Sequence, residues 1–363
     1  MARDEGSRTG ALRRELGLLD AVGIGVGAIV GAGIFVVTGV AAGVAGPAFV
    51  LGLLLAGGAA AANALSSAQL AAEYPRSGGT YEYGYRVLSP ALGFAAGWLF
   101  LASKITAAGT VALGLAGYLE ALAPGLPPRA AAVGAVAVFT ALNYFGIRRS
   151  SRANLVIVAV SVGALLLFVL FGAPAFRLSN LRPFAPAGVE GVLRAGALLF
   201  FAYTGYARIA TLGEEVREPE RTIPRAIQIT IGGVLLLYLA VALVAVGAVG
   251  ADALAGTAAP LEVASRSLPA GWMRAAVVVG GVAAMLGVIL SQLLGLSRMV
   301  FAMARRGDLP RFLEAVHPRH DVPGRAVLAV GAAAAIVAGT GTLAGVAATA
   351  SFTILLYYGI TNL

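Results

Sequence analysis

One lysine stands in a chain that carries 25 arginines. Lys104 lies about thirteen residues into an apolar run, which at ~1.5 Å per residue places it ~20 Å along a membrane-length helix. An ionisable group at that depth marks a functional site by default. Lysine also differs from arginine in kind, because a buried amine can give up its proton near neutral pH and a guanidinium cannot. The plainer account is snorkelling, or a structural bond to a helix carbonyl; the depth hinders the first and permits the second.

Two backbone stretches could do chemistry without a reactive side chain. Gly27-Ala28-Ile29-Val30-Gly31-Ala32-Gly33-Ile34-Phe35 packs three glycines into the middle of an apolar span, where each lowers helix propensity by up to about 1 kcal/mol relative to Ala. Phe200-Phe201-Ala202-Tyr203-Thr204-Gly205-Tyr206-Ala207-Arg208 brings polar groups and a glycine to a similar depth of a later span. Unwound backbone is tolerated inside a membrane only where it is buried in protein or lines a cavity. Its freed N–H groups and positive dipole end suit a carboxylate, and its freed carbonyls suit an ammonium, so together they suit a zwitterion. Gly23, Gly27 and Gly31 also have small-xxx-small spacing, which by itself lets a neighbouring helix approach. A nucleotide loop is a poorer match, since Gly25-Val26-Gly27-Ala28-Ile29-Val30 lacks the last glycine of the fingerprint and follows no strand.

The elements that position these residues follow from composition. The 363 residues are 59% hydrophobic and 12% charged, with mean hydropathy +0.88, which excludes a water-soluble globule. Ten apolar runs are expected as helices: 18–42, 48–72, 91–119, 130–147, 154–173, 191–212, 226–250, 272–302, 326–344 and 346–363. With the N-terminus inside, seventeen arginines fall in cytoplasmic joints and six (129, 177, 182, 194, 266 and 274) outside, so the positive-inside rule predicts a cytoplasmic N-terminus in a plasma (inner) membrane. The net charge of +9 is then topology, and no nucleic-acid partner is expected. The charged start, residues 1–15, precedes a run too long for a signal peptide and lacks a cleavage site.

There is no cysteine, and the two histidines, His317 and His320, lie together in a charged joint. Carboxylate pairs within the membrane, HExxH, a P-loop and a nucleophile elbow are all missing, so neither an enzyme, a metal centre nor a cofactor is expected. No linker or repeat divides the chain, and a single transmembrane domain over 1–363 is expected. The interrupted spans are the first and the sixth. Five helices invert orientation, so the halves at about 18–173 and 191–363 have opposite topology, the arrangement of an inverted-repeat transporter with helices broken at the midplane. The last run ends at Gly359-Ile360-Thr361-Asn362-Leu363 without a charged flank, which suggests a chain cropped at its tenth helix.

Four segments, in order, carry a family resemblance: Gly31 to Phe35 (GAGIF), Ser77 to Trp98 (SGGTYEYGYRVLSPALGFAAGW), Phe200 to Ile227 (FFAYTGYARIATLGEEVREPERTIPRAI) and Ser297 to Gly307 (SRMVFAMARRG). With these the chain resembles the amino acid permeases of the amino acid-polyamine-organocation superfamily over nearly its whole length. The resemblance implies a leucine-transporter-like fold of five plus five helices, broken in helices 1 and 6, and usually followed by two more helices. It implies that N–H groups at Gly31, Ala32 and Gly33 hold a substrate carboxylate, and that carbonyls near Ile29, Phe201, Ala202 and Thr204 meet its ammonium. The side chain would point into a pocket bordered by Tyr203 and helix three.

The chain also departs from that family. Many proton-coupled members carry a lysine in the fifth helix that takes the place of a sodium ion; here the matching run Asn154 to Ser161 ends in Ser161. Two expectations follow: Lys104 has taken over the switching charge, or Ser161 with helix-eight hydroxyls such as Ser291 helps form a sodium site. Cationic amino acid members place an acid at about Ser103, whereas this chain has Ala102-Ser103-Lys104, which favours neutral substrates. The mixed-charge joint beyond helix six is either a solvated loop or an inner gate in which Glu214 or Glu215 pairs with Arg298, Arg13 or Arg14. The expected activity is secondary active transport of amino acids by alternating access, with proton-coupled uptake first, then exchange, then sodium coupling. A non-transporting sensor with a transporter fold is the alternative from another class.

Overall fold

A computed structural model of the chain describes residues 16–73, 81, 85, 88–146, 151–206, 209, 216–320 and 322–362. Among them the structure is helical and holds no named strand; one isolated backbone bridge joins Leu16 to Val216. The first expected span is built from three pieces: α1 (Leu18–Ile29), a π-helical turn (Gly33–Val37) and α2 (Thr38–Ala45). There follow α3 (Phe49–Glu73), α4 (Pro90–Leu122), α5 (Pro128–Tyr144) and α6 (Ser151–Gly172). The second half begins with α7 (Gly188–Phe200), which tightens into a 3-10 turn over Phe201–Tyr206, and continues with α8 (Pro219–Val249). Two short helices, α9 (Ala251–Leu254) and α10 (Pro260–Arg266), precede α11 (Met273–Arg306), α12 (Gly324–Thr340) and α13 (Leu343–Thr361).

Each of the ten expected runs therefore contains a helix. Among the described residues six stretches are long and apolar enough to cross a membrane, of which Leu18–Gln69 spans the first two runs; α5, α7 and α12 are shorter. The membrane explains which side chains lie outside. Leu155, Val156, Leu166, Leu170 and Phe171 of α6 are exposed although apolar, as a lipid-facing helix requires. The opposite face of α6 packs on α11, where Gly280 meets Ala164 and the backbone at Ser161. Without a water-driven hydrophobic effect between helices, such glycine contacts let dispersion hold the pair together.

Polar ties sit at the helix ends. Beyond the end of α11, Asp308 accepts from the hydroxyls of Tyr81 at 2.5 Å and Tyr85 at 2.7 Å, while the Arg306 guanidinium lies 4.2 Å from the Tyr85 ring centre. Burial and the Asp308 carboxylate push the Tyr85 hydroxyl up to about 12 and raise that of Tyr81 as well, because both disfavour a phenolate. At the other end of α11, Glu262 of α10 is buried at 1% side-chain exposure. It accepts from Arg266 Nε at 2.9 Å and Arg274 Nε at 2.5 Å. Arg274 also donates to the Ala121 carbonyl at 2.9 Å, so one buried carboxylate links α10, α11 and the end of α4.

Candidate functional site

The site starts at the break after α1. Val30 leaves helical geometry with φ −70° and ψ 108°, and the helix resumes only at the π-helical turn. The N–H groups of Gly31, Ala32 and Gly33 open that next segment, where a helix's first donors have no carbonyl of their own to reach. The break in the second half lies against this one. A Cβ on Gly205 would overlap the Ala28 carbonyl and the Ile29 nitrogen, and one on Gly33 would overlap Ala202. Glycine at both positions lets backbone cross backbone, which any side chain would prevent.

Around this crossing lies a cavity of about 30 Å³, lined by Ala28, Ile29, Gly31, Ala32, Gly33, Lys104, Val111, Phe201, Thr204, Gly205, Val288 and Gln292. Its volume suits one or two water molecules rather than an amino acid. One reason is Val288 of α11, whose side chain rests on Gly31, one of the backbone positions expected from the sequence to hold a carboxylate. Backbone pairing also ties the start of α1 to the stretch before α8, since Arg217 N–H donates to the Leu16 carbonyl at 2.9 Å. The arrangement is a narrow central chamber between α1, α4, the 3-10 turn and α11.

Of the residues expected to bind substrate, Ile29, Gly31, Ala32, Gly33, Phe201 and Thr204 line this chamber, and Lys104 joins them from α4. Ala202 is buried at the crossing, outside the lining. Tyr203 is also fully buried; its hydroxyl lies 3.4 Å from the Leu53 carbonyl, to which it donates, and its ring packs on Tyr238 at 5.5 Å. Ser103 turns away as well, donating to the Phe100 carbonyl at 2.8 Å. Ser161 donates to its own helix at Ile157, 2.7 Å. Because Ser161 packs at Gly280, Ser291 is eleven residues, or ~16 Å, further along α11, so one ion cannot touch both hydroxyls. The fifth run meets α1 instead through Asn154 and Val158, which face Gly27. Arg298 is exposed on α11, while Glu214, Glu215, Arg13 and Arg14 lie outside the described residues.

The carbonyls carry donors already. Tyr238 of α8 donates to the Ile29 carbonyl at 3.0 Å, and Thr204 donates to that of Phe201 at 3.0 Å. A carbonyl oxygen has two lone pairs, so each can accept a second hydrogen bond. Tyr118 of α4 closes the far side of the first break by donating to the Phe35 carbonyl at 2.8 Å. Sequence reasoning passed over Tyr238, Gln292 and Tyr118, although each is a polar group deep in an apolar run, the signal that singled out Lys104.

Along most of its length the chain is similar in sequence to known transporters. The family model described as amino acid permease matches residues 16–363. An uncharacterised transporter of Mycobacterium tuberculosis is 46% identical over 97% of this chain and 79% of its own length. A branched-chain amino acid permease of Bacillus subtilis is 34% identical over 86% of this chain and 72% of its own. A methylthioribose transporter of the same organism is 33% identical over 93% and 78%. A match of that extent leaves one assignment: the chain belongs to the amino acid permease family of the amino acid-polyamine-organocation superfamily, and is a multi-pass membrane transporter rather than an enzyme.

Proposed function

We propose that this chain is a secondary active transporter that takes up neutral amino acids by alternating access, with an inward proton gradient as the driving force. Its architecture is read as a single domain of five plus five inverted helices, at about 18–173 and 191–363, in the plasma membrane with the N-terminus cytoplasmic. What carries the reading is the chamber itself: two broken segments crossing at Gly33 and Gly205, with the chain's one lysine in the wall. The carboxylate is held by N–H groups at Gly31, Ala32 and Gly33, and the ammonium by the carbonyls of Ile29 and Phe201. Recognition through the α-carbon groups defines an amino acid by its backbone and leaves the side chain to the opposite wall. Transport requires α1 and α11 to separate at the Gly31 and Val288 contact, admitting substrate to a space that is too small for it here.

Lys104 is the coupling group in this reading. A cation in a low-dielectric chamber changes the balance between open and closed forms when it loses its proton, and proton binding and conformational change are then linked. Ser161 bonds within its own helix and lies ~16 Å from Ser291 along α11, a separation that supports the proton over sodium as the coupling ion.

The deciding experiment is uptake of labelled amino acids into proteoliposomes under an inward proton gradient, a sodium gradient, or neither. Accumulation driven by protons alone is the expected result. Uptake only against preloaded amino acid makes the protein an exchanger, uptake driven by sodium makes it a sodium symporter, and binding without flux makes it a sensor.

A further inference from the structure

Gln292 faces the chamber from α11, and its Oε1 is shut away from solvent and accepts no hydrogen bond among the described residues. Buried acceptors in folded proteins are met by a donor, because an unmet one keeps its full desolvation penalty. The neighbouring groups decide which donor fits. Gly97 packs on Met303 and Gly114 on Met285, an antiparallel register that puts Lys104 within about one turn of Gln292. Val111 and Val288 complete the same wall. The wall therefore offers one neutral acceptor, one amine with several N–H groups, and two small apolar side chains.

We propose that this wall receives the substrate's side chain and selects neutral amino acids whose side chain ends in a group that both donates and accepts, a carboxamide or a hydroxyl. Gln292 sets the selection by accepting from that group's N–H or O–H. The inference rests on the amino acid reading above and narrows its substrate class. Arginine and lysine place a second cation beside Lys104. A side-chain carboxylate has no hydrogen for Gln292 Oε1. Leucine, close to asparagine in size and shape, leaves the acceptor unmet, and a site built around a hydrogen bond rejects such an analogue more strongly than an apolar pocket rejects a missing methylene.

The test is calorimetric binding of asparagine, glutamine, serine, leucine and arginine to the purified full chain, with uptake of the same set into proteoliposomes. Asparagine should bind at least about tenfold more tightly than leucine. Gln292→Leu and Gln292→Met should weaken asparagine by about tenfold and leave leucine unchanged or tighter, so that the preference inverts. Leucine binding as well as asparagine in the unsubstituted protein overturns the proposal without any variant. So do variants that weaken both ligands alike, which is the mark of a structural role. If none of the five amino acids binds or moves, the amino acid reading itself fails, and the proposal with it.

Discussion

Lys104 and Gln292 reach the chamber from different helices, yet the sequence treats them unequally. A lone lysine among arginines draws notice at once, whereas a glutamine in Ile289-Leu290-Ser291-Gln292-Leu293 reads as one polar interruption among several. Depth is legible in one dimension; which face of a helix a residue occupies depends on what packs there. That is also why Ser103, adjacent to Lys104, turns into its own helix while Lys104 lines the chamber. If Lys104 carries the coupling charge, Lys104→Ala should lower proton-driven accumulation by about tenfold or more. Lys104→Arg should bind substrate but no longer respond to pH between 5.5 and 8 on the order of the wild-type response, since arginine does not titrate there. Uptake assays at clamped internal and external pH give the answer; full, pH-insensitive activity in both variants defeats the assignment.

Among elements, the two breaks are the part most directly written in the residues. Glycines clustered at Gly27, Gly31 and Gly33 announce the first, and Thr204-Gly205 marks the second. What the pattern did not disclose is that Gly205 and Gly33 are needed for the same crossing. Gly205→Ala should therefore reduce uptake by about tenfold or more, since overpacking rigid backbone costs roughly 1–3 kcal/mol. Gly163→Ala, with open space around its Cβ position, should leave uptake near wild type. Equal behaviour of the two variants would show that the crossing has no such strictness.

The clasp at the end of α11 belongs to the same scale. Asp308→Ala removes the acceptor shared by Tyr81 and Tyr85 and should cost about 1–2 kcal/mol, a partly buried version of a charged hydrogen bond, read as a lower melting temperature in detergent. Its pH dependence has a definite sign. Tyr85 is raised in the folded chain to about 12 from an ordinary value near 10, so the contribution is complete below pH 10 and is lost as pH rises through about 12. Between pH 6 and 9 the stability gap between variant and wild type should stay constant.

At the level of the whole molecule, the ends of the bundle are held by different means. One end carries the backbone pairing of Leu16 with Val216 and the Asp308 clasp, the other the Glu262 carboxylate with two half-exposed guanidiniums. Glu262→Gln should lower stability by about 1–3 kcal/mol, because both arginines lose their charged partner while water still reaches them. Orientation has a clean test, since the chain contains no cysteine. Ser179→Cys, in the exposed turn before α7, should react with a membrane-impermeant maleimide on intact cells, and Val316→Cys only after permeabilisation. The reverse pattern would invert the proposed topology.

The sequence by itself determined that this is a helical membrane protein, where its apolar runs lie, and that the first and sixth are interrupted. Those properties depend on hydropathy over about 20 residues and on local backbone preference, both of which are written linearly. The tertiary structure decided which residues meet. It separated Ser161 from Ser291, sent Tyr203 to Leu53, brought Tyr238 to the Ile29 carbonyl and set Gln292 in the wall beside Lys104. Such contacts depend on the rotation and register of helices far apart in sequence, and in a lipid-immersed bundle nearly every helix face is apolar, so the pattern that reveals a buried face in a soluble protein is absent.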